Sequence, residues 1–248
     1  MLDNVASVRL SDAEWLPPWT RLEHEARFQF ASAHVLGKHV IDCACGAGVG
    51  SHIFASSGAA MVEGIDSSPD AILAAQQSYQ LPNLRFCLGD ATALAMTDSS
   101  ADVFISLETI EQLENDDGFI AEAARVLKPG GLLICSTPNR EVTNPGLPPI
   151  GKPWNPYHVR EYTLAELTNK LSQYFTIQQV FGQNPNYPWR INLLRGLSRL
   201  TSVRLAVRIN QVGKLRWLLR DSLGTHRVQP LSEGRAFEYF VLCCQKPM

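Results

Sequence analysis

The stretch Val40-Ile41-Asp42-Cys43-Ala44-Cys45-Gly46-Ala47-Gly48-Val49-Gly50-Ser51 decides the fold. Its first residues read as a short apolar strand. Its glycines at every second position read as a tight bend, and the residues from Gly48 onward as the start of a helix. Glycine lets the backbone turn sharply and approach a ligand, because no Cβ stands in the way. The amides at the helix start offer donors to an anionic group. Twenty residues beyond Gly46, Asp66 ends the next apolar run in Glu63-Gly64-Ile65-Asp66. At the carboxyl edge of a parallel sheet such an acid stands beside the bend and can accept both hydroxyls of a ribose. The plainer reading is an Asp capping a helix that begins at Pro69.

Outward from this stretch, short apolar runs alternate with helical ones. Strands are expected at 39–43, 61–65, 84–88, 102–107 and 132–136, and helices at about 48–57, 69–78 and 116–127. The runs are nearly continuous and partly β-branched, as strands covered on both faces should be. Ser68 before Pro69 suits an N-cap with proline at the first helical position. The alternation predicts an α/β, doubly wound parallel sheet. A third strand ends in Gly89-Asp90-Ala91, which puts Asp90 at the same edge, able to accept from an adenine amino group or to cap its own turn.

The later chain changes character. Thr163 and Glu166 are spaced as a capping box for a helix at 163–171, and 175–181 and 239–245 read as strands. About fifty residues separate the last two, too many for a hairpin loop. The chain is therefore divided into an N-terminal helical cap (1–37), a core (38–181 and 235–248) and an insertion (182–234). The cap's helix, about 20–36, carries His24, Arg27 and Phe28 over the sheet. Between Arg190 and Arg227 there are nine basic residues and one acid, Asp221. Leu193, Leu194, Leu197 and Leu200 lie there at helical spacing, so the insertion reads as a basic amphipathic helix. A membrane surface, an anionic substrate or a second copy of the chain would suit it, as would a plain helical cap with a solvated arginine face.

Composition excludes other classes. The chain has 248 residues, 45% of them apolar and 19% charged, enough for a real core and wrong for disorder. With 22 Lys+Arg against 24 Asp+Glu it lacks a whole-protein basic field for nucleic acid. No apolar run of spanning length occurs, and charges fall where a secretory signal needs an apolar core, so a cytoplasmic, at most membrane-peripheral, protein is expected. Six cysteines form no C-x-x-C pair and have no histidines at zinc spacing; they read as buried free thiols.

Dehydrogenases share the strand–bend–helix layout, but their third glycine falls where this chain has Ser51. Asp42 also lies four residues before the first glycine, where it would repel a pyrophosphate. A ligand carrying positive charge, such as a sulfonium or an α-amino group, suits it better. With VIDCACGAGVGS, EGIDSS, GDATAL, DVFISLETIEQLEN and RVLKPGGLLICSTPNR in this order, and YHVREYTLAEL after them, the chain resembles the class I S-adenosylmethionine-dependent methyltransferases. Within them it is most similar to the ubiquinone-biosynthesis type and to relatives from glycan gene clusters.

The resemblance implies a Rossmann-like seven-stranded sheet with an antiparallel last strand, here 239–245. It also implies S-adenosyl-L-methionine as cofactor, no metal, and O-methylation of a small molecule or glycan. N- or C-methylation, or a cofactor-binding protein without activity, are the alternatives. By position, Asp42, Ala44, Gly46 and Gly48 line the methionine part of the cofactor, Asp66 and Ser67 the ribose, and Asp90 and Ala91 the adenine. Leu107 and Glu108 face the sulfonium and the acceptor, and Arg27 pairs with the cofactor carboxylate or lies at the surface. Relatives often carry E-x-x-E-H after the fourth strand; here Glu108-Thr109-Ile110-Glu111-Gln112 puts Gln in the His position. The candidate bases for a hydroxyl acceptor are His158, in a Pro-rich loop at 146–162 read as a lid, and Glu108.

Overall fold

A computed structural model describes residues 18–186 and 226–248. The expected helical insertion lies mostly outside the described residues, and with it every basic position from Arg190 to Arg220.

The described chain forms one eight-stranded sheet in the order β3-β2-β1-β4-β5-β8-β6-β7. The strands are β1 (His39–Cys43), β2 (Met61–Asp66), β3 (Leu84–Leu88), β4 (Ala101–Leu107), β5 (Leu127–Pro138), β6 (Thr176–Asn186), β7 (Gln229–Pro230) and β8 (Ala236–Gln245). β1 to β5 are mutually parallel, whereas β8 runs antiparallel to both β5 and β6. The count exceeds the expected seven because Gln229–Pro230 returns to pair with β6. β6 itself runs on to Asn186, past the 181/182 boundary read from the sequence. The run Lys128-Pro129-Gly130-Gly131 is the start of β5 rather than a turn before it, with an irregular register against Ala101–Val103.

Six helices flank the sheet: α1 (Pro18–Ser32), α2 (Val49–Ser56), α3 (Pro69–Ser78), α4 (Asp116–Val126), α5 (Arg140–Thr143) and α6 (Leu164–Leu171). Ser68 caps α3, accepting from the Ala71 amide, and the Thr163–Glu166 capping box of α6 is complete.

Successive strand residues face opposite sides, and each side is covered. Ile41, Phe104, Leu133, Cys135, Leu242 and Cys244 pack with α4 and α6 on one face. Val40, Val62, Val103, Ile105, Ile134 and Val241 pack with α1 and α2 on the other. This explains why β1, β4, β5 and β8 read as unbroken apolar runs. Four cysteines are buried free thiols, but Cys45 is half-buried and Cys87 exposed on the edge strand β3. Among the described residues no helix is long and apolar enough to cross a membrane.

Candidate functional site

The carboxyl ends of β1, β2 and β4 meet at one edge of the sheet, where the backbone is least regular. Ala44, just past β1, has φ +62°, and Glu108, just past β4, has φ +57°. Left-handed non-glycine residues are uncommon and cluster where structure serves a site.

The bend after β1 is tied to β2 by a carboxylate. Asp66 Oδ2 accepts from the Gly46 amide at 2.9 Å, and its Oδ1 accepts from the Ser68 amide at 2.9 Å. Helix α3 has its own cap in Ser68, so the plain capping role for Asp66 does not describe it. Ser67, its neighbour, is exposed. The glycines divide the work. Gly46, at φ +55°, has open space where a Cβ would point, so its backbone is open to an approaching ligand. Gly48, at φ +84°, is the N-cap of α2, and a Cβ there would lie 2.6 Å from Phe86 and 2.9 Å from Ala75. Gly50 leaves room for Phe28 of α1.

Asp42 is buried at the end of β1, with Ser51 Oγ donating to its Oδ2 at 2.5 Å. Burial and the nearby Asp66 push its carboxyl up to about 7, against the Ser51 bonds. Ser51 thus replaces the third dehydrogenase glycine with a hydroxyl that holds the acid, and Gly64 makes room for it: a Cβ there would meet Ser51 Oγ at 2.7 Å. Asp90 caps its own turn: its Oδ1 accepts from the Thr92 amide and hydroxyl, both at 2.8 Å, which holds its carboxyl below the usual range. Its Oδ2 stays available at the same edge. Ala91 and Leu107 are partly buried against the core.

Arg27 is not at the surface. It is fully buried, donates to Gln183 Oε1 and lies 4.9 Å from the Tyr239 ring centroid. Its Nε has no partner among the described residues.

The turn after β4 is bound to β5. Ser136 Oγ donates to Glu108 Oε1 at 2.7 Å, and the Glu108 amide donates to the Ser136 carbonyl at 3.0 Å. Gln112 Nε2 donates to the Glu108 carbonyl at 2.8 Å, so the residue in the expected His position braces the left-handed Glu108. Glu111 is fully buried; Thr137 Oγ1 donates to its Oε2 at 2.8 Å, and its Oε1 has no hydrogen-bond partner among the described residues. Burial, with Glu108 nearby, pushes its carboxyl up to about 8.

The loop at 146–162 docks on this turn: the Val159 and Arg160 amides both donate to the Glu111 carbonyl. His158 Nδ1 lies 2.7 Å from Glu161 Oε1, and Nε2 lies 2.9 Å from Asn155 Nδ2. Burial opposes charge on the ring, but Glu161, Glu111 and Glu108 outweigh it and raise its pKa. The two candidate bases therefore belong to one cluster. Glu161 and Tyr239 were given no role from the sequence, and Ser51 and Glu111 were named only in place of the third dehydrogenase glycine and within the motif after the fourth strand. Only the spacing His158-x-x-Glu161 carried a signal, and that signal is common to any turn.

A family model described as a methyltransferase domain matches residues 34–209. A protein of Mycolicibacterium smegmatis described as a probable S-adenosylmethionine-dependent methyltransferase is 35% identical over 153 residues, covering 62% of this chain and 57% of that protein. A ubiquinone biosynthesis O-methyltransferase of Glaesserella parasuis is 34% identical over 113 residues, covering 43% of this chain and 48% of its own length. The chain thus spans about half the length of these curated relatives. The solved structure of an S-adenosylmethionine dependent methyltransferase from Mesorhizobium loti shares the fold with TM-score 0.58 at 17% identity, covering 90% of this chain and all of its own. Because the matched model spans more than half of its residues, the chain belongs to the methyltransferase-domain family.

Proposed function

We propose that the protein transfers a methyl group from S-adenosylmethionine to a hydroxyl oxygen of a small molecule, lipid or glycan. The observation that carries this reading is the open bend at Gly46 between the buried Asp42 and the amide-bound Asp66. The residues present fit the cofactor. Asp42, desolvated and pushed up to about 7, gains most from a ligand that brings a cation to it. Asp66, already oriented by two amides, keeps lone pairs for ribose hydroxyls. Gly46 borders space that any side chain would fill.

When bound, the cofactor supplies a methyl group already activated on a sulfonium. The chain's tasks are then to align the acceptor, exclude water and remove a proton. Alignment can supply roughly 7–11 kcal/mol in the best case. His158 is the base of this reading, since it stands with Glu108 and Glu111 beside the β4 turn. The Glu108 carboxylate disfavours an acceptor that is itself an anion at the reacting atom, which supports a neutral hydroxyl over a carboxylate. A lipid-linked acceptor is supported by the basic residues at 190–227 and by the exposed Ile150, Trp154 and Val159 in the docked loop. Their membrane reading predicts sedimentation with anionic vesicles at low salt.

Radiolabelled S-adenosylmethionine incubated with solvent and aqueous extracts of cells tests the activity. Label in an alkali-stable product supports an ether, whereas no transfer by a cofactor-binding protein contradicts the enzymatic reading.

A further inference from the structure

We propose that Glu161 is a positioning residue that fixes the His158 ring with Nε2 as proton acceptor, and that the Asn155 amide occupies the place from which the methyl acceptor's hydroxyl donates. The acceptor's part rests on the methyl-transfer reading; the state of the ring can be tested without it.

The argument starts at Asn155. Its Oδ1 accepts from the Tyr157 amide at 3.1 Å, two residues on, as in an Asx-turn. With the oxygen taken, Nδ2 is the atom that faces His158 Nε2, at 2.9 Å. An amide nitrogen can only donate, so Nε2 carries the lone pair and Nδ1 carries the ring proton. That proton meets Glu161 Oε1 at 2.7 Å.

Glu161 is itself held from several sides. Thr143 Oγ1 donates to its Oε2, and Asn144 Nδ2 donates to the same oxygen at 2.7 Å. Asn144 Oδ1 in turn accepts from the Trp154 amide at 2.9 Å, and Arg140 Nη1 donates to the Glu161 carbonyl at 3.0 Å. The carboxylate is therefore oriented by α5 and the loop before it meets the imidazole. A base whose far nitrogen is fixed by a carboxylate, itself fixed by other groups, has its tautomer and direction set in advance.

The charged groups acting on the ring are Glu161 from its own loop and Glu111 and Glu108 from the turn after β4; all three favour protonation. Burial of the ring and the Asn155 amide stand against a proton on Nε2, the amide because two donors would then face each other. A hydroxyl that displaces Asn155 supplies the same donor to the same lone pair. In the transfer its oxygen forms the new bond to the methyl carbon, its proton passes to Nε2, and the electron pair of the broken S–C bond stays on sulfur. The Asn155 amide thus mimics the acceptor while the site waits.

The test is an NMR titration of the His158 ring nitrogens in the full chain without ligand, for wild type, Glu161→Gln and Asn155→Asp. Glutamine keeps an oxygen for Nδ1–H but removes the charge, so the midpoint falls. Aspartate keeps the Asx oxygen and turns the donor into an acceptor, so the midpoint rises. Above its midpoint the wild-type ring shows Nδ1 protonated and Nε2 bare. A wild-type proton on Nε2, or an Asn155→Asp midpoint that stays or falls, overturns the proposal even if Glu161→Gln fails to fold.

In label transfer to cell extract, Glu161→Gln loses on the order of 10²-fold in rate, and its pH profile moves to lower pH with the His158 midpoint. Asn155→Asp moves the profile to higher pH. A rate loss with an unmoved profile would mean a structural staple and contradict the positioning role. Binding of S-adenosylhomocysteine stays unchanged throughout. If wild type fails to bind it, the methyl-transfer reading fails while the ring data still judge the dyad.

Discussion

The two halves of the site are built differently. The cofactor side is local: Asp42, Gly46, Ser51 and Asp66 fall within 25 residues and are bound to each other by strand ends and short turns. The side proposed to receive the acceptor draws Glu108, Glu111, Ser136, His158 and Glu161 from separate segments and joins them through buried side chains. A nucleoside cofactor that does not change needs a fixed cradle. An acceptor that differs between relatives needs parts that can change without disturbing that cradle.

Substitutions on the two sides should therefore separate cleanly. The largest effect is expected at His158. His158→Ala slows transfer by roughly 10²–10⁴-fold, with binding of S-adenosylhomocysteine unaltered by calorimetry; a matching loss of binding would join the halves that the structure keeps apart.

Next comes Asp66→Ala, which removes charge-assisted bonds worth about 1.5–3 kcal/mol each. Two of them correspond to roughly a hundredfold or more in cofactor affinity. The same titration run against pH sharpens the role of Asp42. A cationic ligand group prefers the ionised acid, so affinity rises as pH passes through about 7, and this rise vanishes in Asp42→Asn.

The glycines break the comparison within the cradle itself. Gly48→Ala adds a side chain against Phe86 and strains a positive φ, at about 2–4 kcal/mol of stability by denaturant unfolding. Gly46→Ala strains φ alone, at about 1–2 kcal/mol, and spends its effect on ligand affinity instead.

The smallest effect is at Glu111. Burial pushes its carboxyl up from the ordinary 4.5 to about 8. The stability it adds is present below pH 4.5 and is lost as pH rises through about 8. Glu111→Gln should therefore melt near wild type at pH 5 and higher than wild type at pH 9. Equal melting at both pH values would mean that the buried acid is not held protonated.

The same contrast explains what the sequence disclosed. β1, β4 and the later part of β5 were legible because both faces are buried, which leaves unbroken apolar runs; the edge strand β3 was read although Arg85 and Cys87 are exposed. The cradle was legible because its spacing is set by one strand, one bend and one helix. The fifth strand was expected only from 132 because the glycines at 130 and 131, near its start, look like a turn. Gln229–Pro230 was missed because two residues carry no periodicity. Glu161 was passed over, and Glu111 was named only within its motif, because burial turns an ordinary surface residue type into a chemical one, and burial is set by elements far away in the chain. Arg27 was read as pairing with the cofactor carboxylate or lying at the surface, and its burial overturns the surface reading alone. The structure buries it against Gln183 and Tyr239, partners more than 150 residues away.

The most direct test is a calorimetric titration of the wild-type chain with S-adenosylhomocysteine and, separately, with NAD. The account predicts binding of the first at one site per chain and none of the second. Binding of NAD, or of neither nucleotide, would contradict the assignment of Asp42, Gly46 and Asp66 to a sulfur-nucleoside cradle.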